Sequence, residues 1–251
     1  KEDLFVVSIV PCIAKKAEAA RPEFAEDGIR DVDAVLTTTE LLEMIALRRI
    51  ETVVPQEFDD PYKQVSGAGI LFGASGGVAE AALRMAVEKL TGEALTEHLD
   101  FEEIRGFEGL KEATVEAGGV KVRVAVISGL NNAEPIIRKI LQGVDVGYDL
   151  IEVMACPGGC IDGAGHPVPE KIDALVKRQQ VLVNIDKTSV LRKSQDNPDI
   201  LRLYDDFYGE ANSPLAHKLL HTHYTVHGGD GVCGMVRPMA DSAYKTHEYV
   251  V

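Results

Sequence analysis

The segment Leu150-Ile151-Glu152-Val153-Met154-Ala155-Cys156-Pro157-Gly158-Gly159-Cys160-Ile161-Asp162-Gly163-Ala164-Gly165-His166-Pro167 decides the fold. Leu150 to Met154 is an apolar run of strand character, and it breaks at a Pro-Gly-Gly turn held between two thiols. A disulfide between Cys156 and Cys160 would strain that turn. Soft thiolates instead suit an iron–sulfur cluster or zinc, and the glycines let backbone N–H groups approach a bulky inorganic group. The competing explanation is a buried apolar cysteine pair beside a turn. The crowd of glycine and proline around Cys156 and Cys160 favours a ligand loop.

Outward from this stretch, strand-like runs recur at Leu4 to Val10, Ala34 to Leu36 and Val120 to Ser128, each followed by helical periodicity. Thr38 or Thr39 is expected to cap a helix that begins at Glu40, and Val78 to Ala86 is rich in helix-forming alanine. Further helices are expected from Asn132 to about Leu141 and from Pro167 to Arg178. The order reads strand, helix, strand, helix throughout, which is an α/β fold. After Gln179 the segments shorten, with a helical stretch near Ile200 to Tyr208 and histidines from His217 to His227. The expected division is an α/β part over 1–178, a helical arm over 179–224 and a tail over 225–251.

The 251 residues are ample for a core without disulfide staples, and four cysteines are too few for a secreted framework. Twenty-six Lys and Arg against forty Asp and Glu give a net charge of −14, with the basic residues scattered. Nucleic acid is therefore not an expected partner. No apolar run approaches the roughly 20 residues of a membrane helix. The chain opens at Lys-Glu-Asp without an initiator Met, so it reads as a piece of something longer, and the absence of a targeting signal says nothing about compartment.

Three other stretches bear on chemistry. Val10-Pro11-Cys12-Ile13-Ala14-Lys15-Lys16 ends a strand in a thiol beside two cations, which suits a metal ligand or an anion clamp, or else is a solvated basic turn. Phe72-Gly73-Ala74-Ser75-Gly76-Gly77 is a glycine-rich loop before a helix, without the fingerprint of an ATP or dinucleotide site; close strand–helix packing competes evenly with anion binding there. His221-Thr222-His223, near His217, His227 and Cys233, reads more readily as a hydrogen-bonded histidine pair than as a zinc site.

Pro11-Cys12-Ile13-Ala14-Lys15-Lys16-Ala17-Glu18 and Glu152 to Cys160 together resemble two of the three cluster-binding signatures of iron-only ([FeFe]) hydrogenases, here the second and third. Flanking runs share the resemblance: Asp31 to Thr38, Gly67 to Gly77, Arg192-Lys193-Ser194 with Asn197-Pro198, and Leu219 to Tyr224. The resemblance implies a two-lobed domain with sheets flanked by helices. It also implies an H-cluster, a [4Fe–4S] cubane joined through one thiolate to a two-iron unit with CO, cyanide and a bridging dithiolate. Residue by residue, Cys12 and Cys156 would hold the cubane, and Cys160 would hold it and bridge to the two-iron unit. Lys15 matches a lysine donating to a cyanide ligand, Phe72 and Gly73 match positions lining the two-iron pocket, and Met154 matches a methionine packed there. The implied partner is ferredoxin or another electron-carrier subunit, and the expected compartment is the cytoplasm, the periplasm being the alternative.

The sequence also departs from the family. A Thr-Ser-Cys-Cys-Pro type first signature is nowhere in it, although that segment would bring the fourth cubane ligand and a proton-donating cysteine. An upstream segment or a partner chain is the expected source, Cys233 being the one remaining thiol. Val10 stands where the family usually has Met, Ala164 where it has Gly, and His166 where it has Gln.

Overall fold

The computed structural model of the chain describes residues 3–56, 59, 62–95, 99–168 and 173–222. His223, Tyr224, His227, Cys233 and the expected tail lie outside the described residues. By internal packing the chain divides into two units, Lys1–Asp199 and Ile200–Val251.

The first unit begins with β1 (Val7–Val10) and α1 (Ala14–Ala19), then a small antiparallel pair, β2 (Ala25–Glu26) and β3 (Ile29–Arg30), before β4 (Ala34–Thr37). β1 pairs with β4 in parallel, Val7 opposite Ala34 and Val10 opposite Thr37. Helix α2 (Thr38–Leu47) follows at once. Its N-cap is Thr37 rather than Thr38 or Thr39: the Glu40 N–H donates to Thr37 Oγ1 at 3.2 Å and the Thr37 N–H donates back to Glu40 Oε2 at 2.8 Å. Only Thr37 stands three residues before Glu40, the spacing this reciprocal box requires. Lys16 of α1 donates to the Val35 carbonyl at 3.0 Å and to Glu40 at 2.9 Å, which ties the turn after β1 to β4 and α2.

Helices α3 (Gly67–Leu71) and α4 (Gly77–Thr91) come next, Ser66 capping α3 by accepting from the Gly69 N–H at 3.1 Å. A three-stranded sheet then forms from β5 (Leu110–Ala117), β6 (Val120–Ser128) and β7 (Leu150–Met154), with α5 (Leu130–Leu141) between β6 and β7. β6 is central, antiparallel to β5 and parallel to β7. Val124 to Ile127 are wholly buried, so β6 is covered on both faces. Ala79 and Leu83 of α4 pack on Val124 and Val126 with Ile104.

The mixed α/β class is as expected, but the strict alternation is not, because β5 forms an antiparallel hairpin with β6. Its outward positions, Glu112, Thr114 and Glu116, and its inward Lys111 dilute the apolar signal that marks the other strands. The helix expected over Pro167 to Arg178 is observed as α6 (Asp173–Thr188).

Segment 186–199 returns to the front of α3 and α4. The Gly67 and Ala68 N–H groups donate to the carbonyls of Leu191 and Arg192 at 2.8 and 3.0 Å. Beneath them lies a knot of buried charge. Arg84 donates to Asp186 at 2.8 Å and to Glu80 at 2.8 Å, Arg105 bonds Glu80 and Asp100, and Arg192 bonds Asp186 and Asp100. Arg84 and Asp186 are both fully buried. The Gly67 Cα approaches this knot so closely that a Cβ there would lie 2.8 Å from the Asp186 Cα.

In the second unit α7 (Pro198–Leu203), which starts in the first, runs into a π-helical turn over Tyr204–Tyr208, and α8 (Pro214–Leu220) follows with Ser213 as its cap. Tyr204 and Phe207 each pack against the Tyr208 ring, at 5.4 and 5.1 Å between centroids.

Candidate metal centre

Cys12 and Cys156 each lie two residues beyond the carboxyl end of a strand, β1 and β7 respectively. That is where α/β sheets place their ligands, since chain leaving a strand end is free to turn around a bound group. The loop after Cys160 lies directly on the end of β1. The Gly165 N–H donates to the Pro11 carbonyl at 3.0 Å, and a Cβ on Gly163 would collide with that same oxygen. On the other side the Gly165 carbonyl accepts from the Thr39 N–H at 3.0 Å and from Thr39 Oγ1 at 3.1 Å. The Cys156–Gly165 loop is therefore fastened beside Cys12 from two directions.

The thiols converge as a result. Burial pushes the Cys156 thiol above its ordinary pKa, and the neighbouring Cys12 and Cys160, with Asp162, push it further. Cys12 and Cys156 are half-buried, Cys160 is exposed, and all three are free thiols. Apart from one backbone bond at Ala164, every neighbour that shifts Cys156 opposes its thiolate. A bound cation would reverse that balance, which is the electrostatic condition of a metal-thiolate site.

The glycines around Cys160 are needed for two distinct reasons. Gly158 and Gly159 have φ of +84° and +85°, the left-handed side that L side chains avoid, and a Cβ on Gly159 would lie 2.6 Å from the Ser75 nitrogen. This contact is the seam between the two glycine-rich loops. The Ser75 N–H donates to the Gly158 carbonyl at 3.0 Å and the Ile161 N–H to the Gly73 carbonyl at 2.9 Å. Glu152, buried on β7, accepts from the Gly76 N–H at 2.6 Å and the Ala79 N–H at 2.7 Å, so its carboxylate occupies the positive end of α4. The glycine-rich loop thus has its helix N-terminus filled by the protein's own anion.

The other expected site residues are placed as follows. Lys15 is half-exposed and its Nζ donates to Glu18 at 2.6 Å. Phe72 is 44% exposed at the end of α3, Gly73 packs so near Leu182 that a Cβ would come within 2.9 Å, and Met154 is half-buried with its carbonyl accepting from the Gly129 N–H at 2.8 Å. His166 has its pKa lowered by burial and by Arg178, which donates to the Ile161 carbonyl at 2.7 Å. His221 stacks on His217 with centroids 4.6 Å apart. Glu80, Asp100 and Asp186 bring carboxylate oxygens within 4.8 Å of one another, yet each is already bonded to arginine.

The donor set fits part of an iron–sulfur cluster: three soft thiolates on one side of a glycine-walled recess, one short of the four that a cubane takes. Glu152 and Ser75 were not anticipated as contributors. An acidic residue inside the run Leu150 to Met154 was the legible signal for the first, whereas Ser75 acquires its role only through contacts distant in sequence.

Comparison with known proteins gives the family. Residues 1–164 match the family model for the iron only hydrogenase large subunit, C-terminal domain, and residues 172–227 match that for the iron hydrogenase small subunit. The NADP-reducing hydrogenase subunit HndD of Solidesulfovibrio fructosivorans is 46% identical over 227 residues, covering 89% of this chain and 38% of that protein. A probable cytosolic Fe-S cluster assembly factor of Drosophila grimshawi is 29% identical over 229 residues, covering 88% of this chain and 48% of the relative. A solved structure of HydA(ΔEFG), described as revealing stepwise [FeFe]-hydrogenase H-cluster assembly, superposes with a TM-score of 0.72 at 40% identity, over 89% of this chain and 63% of the other. The chain belongs to the iron-only hydrogenase family, as the C-terminal domain of its large subunit continued by a segment of small-subunit type. It spans less than half the length of these curated relatives. Among the described residues no helix is long and apolar enough to cross a membrane.

Proposed function

We propose that this chain is the C-terminal catalytic portion of an [FeFe] hydrogenase, carrying out 2 H+ + 2 e− ⇌ H2. The observation that carries this reading is the convergence of Cys12, Cys156 and Cys160, brought together from opposite ends of the first unit. Cys12 and Cys156 would hold a cubane, and Cys160 would hold it and bridge to the two-iron unit. When bound, the H-cluster supplies the redox-active iron at which protons and electrons are interconverted with H2.

The chain's own residues orient and shield. Gly158 and Gly159 keep the Cys156–Cys160 loop against the Gly73–Ser75 loop without side chains in the way. Phe72, Gly73 and Met154 would line the two-iron side and exclude water. Lys15 would donate from Nζ to a cyanide ligand after leaving Glu18, to which it is bonded here. The fourth cubane thiolate and the proton-donating cysteine would come from an upstream segment or a partner chain. Electrons would come from ferredoxin or a similar carrier, and the compartment proposed is the cytoplasm, with the periplasm as the alternative.

Infrared spectroscopy of the iron-loaded protein tests the reading. Bands of metal-bound CO and cyanide support it, and a cluster-loaded sample without them supports a second one, a cluster-only relative acting as a sensor or in cluster assembly. The exposed Lys15–Glu18 pair and the similarity to the assembly factor favour that alternative. Cys160→Ala is expected to abolish both the infrared bands and H2 turnover; wild-type activity in this variant would refute its bridging role.

A further inference from the structure

Lys111 is the buried cation for which neither the fold nor the cysteines give an evident use. It sits on β5, is 4% exposed, and occupies the inward register with Ala113, Val115 and Ala117. Its Nζ donates to the Gly106 carbonyl at 2.9 Å and to Ser75 Oγ at 3.2 Å, and it reaches the Ser75 carbonyl at 3.5 Å. Three acceptors match the three donors of an ammonium, whereas a neutral amine would turn a lone pair toward one of them. Burial lowers its pKa, and Glu152 and Glu108 oppose that shift, so carboxylates stand near enough to favour the charged form.

Ser75 joins this cation to the cysteine loop. Having accepted from Lys111, its hydroxyl can donate to Ser128 Oγ, 2.6 Å away and also buried. Its own N–H holds the Gly158 carbonyl at 3.0 Å, and the next residue's N–H is held by Glu152. Through Ser75 the Lys111 amine is thus joined to Gly158, in the loop between Cys156 and Cys160. Burying a charge costs stability that an apolar side chain of the same length would not, so packing alone gives no reason for a lysine here.

We propose that Lys111 is a positioning residue for the metal centre: through Ser75 it clamps the Gly73–Ser75 loop onto the Cys156–Cys160 loop, and its charge stabilises the reduced form of a cluster held there. The second half rests on the iron–sulfur reading; the first does not. Removing the charge is expected to leave the reduced cluster less favoured, lowering its midpoint potential.

The test compares Lys111→Met, Lys111→Arg and Ser75→Ala in the full chain. In the metal-free protein, amide exchange at Ser75 and Ile161 is expected to accelerate at least tenfold in Lys111→Met and Ser75→Ala, with the β1–β4 amides unchanged and the global stability of Lys111→Met equal to or above wild type. Unchanged exchange at both amides, or a uniform acceleration that tracks lost global stability, would overturn the clamp. After anaerobic loading with iron and sulfide, potentiometric titration followed by electron paramagnetic resonance is expected to show the reduced-to-oxidised ratio at fixed potential falling three- to tenfold in Lys111→Met, tenfold being about 59 mV for one electron. Lys111→Arg and Ser75→Ala, which keep the charge, are expected to stay near the wild-type potential. A wild-type potential in Lys111→Met would overturn the electrostatic half, while a wild-type chain that binds no cluster even when an added thiol supplies the fourth ligand would refute the metal-centre reading and leave the exchange result to decide the clamp.

Discussion

The cysteine recess and the arginine knot both gather residues from distant parts of the chain, and they end in opposite electrostatic conditions. In the knot, Arg84, Arg105 and Arg192 answer Glu80, Asp100 and Asp186, so buried charge is neutralised inside the protein. In the recess, Cys12 and Cys160, with Asp162, add to burial in raising the cost of ionising Cys156. The knot balances its charges, with only the buried Arg192 Nε left without a hydrogen-bond partner among the described residues, and it ties α4 to α6 through Arg84 and Asp186. The recess offers Cys156 no cation among the groups that shift it. Proximity of ionisable groups is thus not by itself a sign of function; the sign is proximity without a cation bonded directly to the group, Lys111 reaching the cysteine loop only through Ser75.

The sharpest break of this contrast is Gly159→Ala. Its side chain would enter the Ser75 backbone from a residue already at positive φ, so iron and sulfide bound per chain are expected to fall at least tenfold, as measured by elemental analysis after anaerobic loading. Substitutions in the knot that leave the chain folded are expected to preserve that iron content.

Next in size is Asp186→Ala, which leaves Arg84 buried without its main partner. Losing one member of a buried ion pair costs about 3–5 kcal/mol, to be read as a lower denaturation midpoint in urea. A loss below about 1 kcal/mol would mean that Glu80 alone satisfies Arg84.

The smallest expected effect is pH-dependent. Burial would raise the Asp186 and Asp100 carboxyls, but hydrogen bonds from Arg84, Arg105 and Arg192 outweigh it and hold both below their ordinary values. Folded-state pKa values below the unfolded ones give stability that is full above the unfolded carboxylate range, about 4, and is lost as pH falls through the folded values. Melting temperature is therefore expected to drop on acidification below about pH 4, and Asp186→Asn should flatten that drop. A wild-type melting curve flat through this range would sever the knot from acid stability.

The β6 and β7 boundaries were legible at Val120 to Ser128 and Leu150 to Met154, because β-branched and other apolar residues dominate both runs despite Lys121, Arg123 and Glu152, and the second half of β6 is wholly buried. β5 was not legible: Lys111 stands where its inward pattern called for an apolar residue. The helix cap was displaced by one residue because the run Thr37-Thr38-Thr39 offers three candidates, and only the spacing to Glu40 chooses among them. Within the site, Cys12, Cys156 and Cys160, the proposed ligands, were visible as motifs. Glu152, Ser75 and Lys111 were not, since their roles depend on partners on other elements.

What the sequence determined by itself was the chemistry available: thiols at the ends of strands, glycines where backbone must come close, and apolar runs long enough for a covered sheet. Only the tertiary structure decided which of these groups meet. The strands before Cys12 and Cys156 lie in different sheets, and it was the bonds of Gly165 to Pro11 and Thr39 that brought the Cys156–Cys160 loop to the Cys12 turn. The tertiary structure also set a lysine against one loop and closed three arginines on three carboxylates. Local spacing carries which bonds a residue can make; whether a charge ends up answered or unanswered depends on long-range packing.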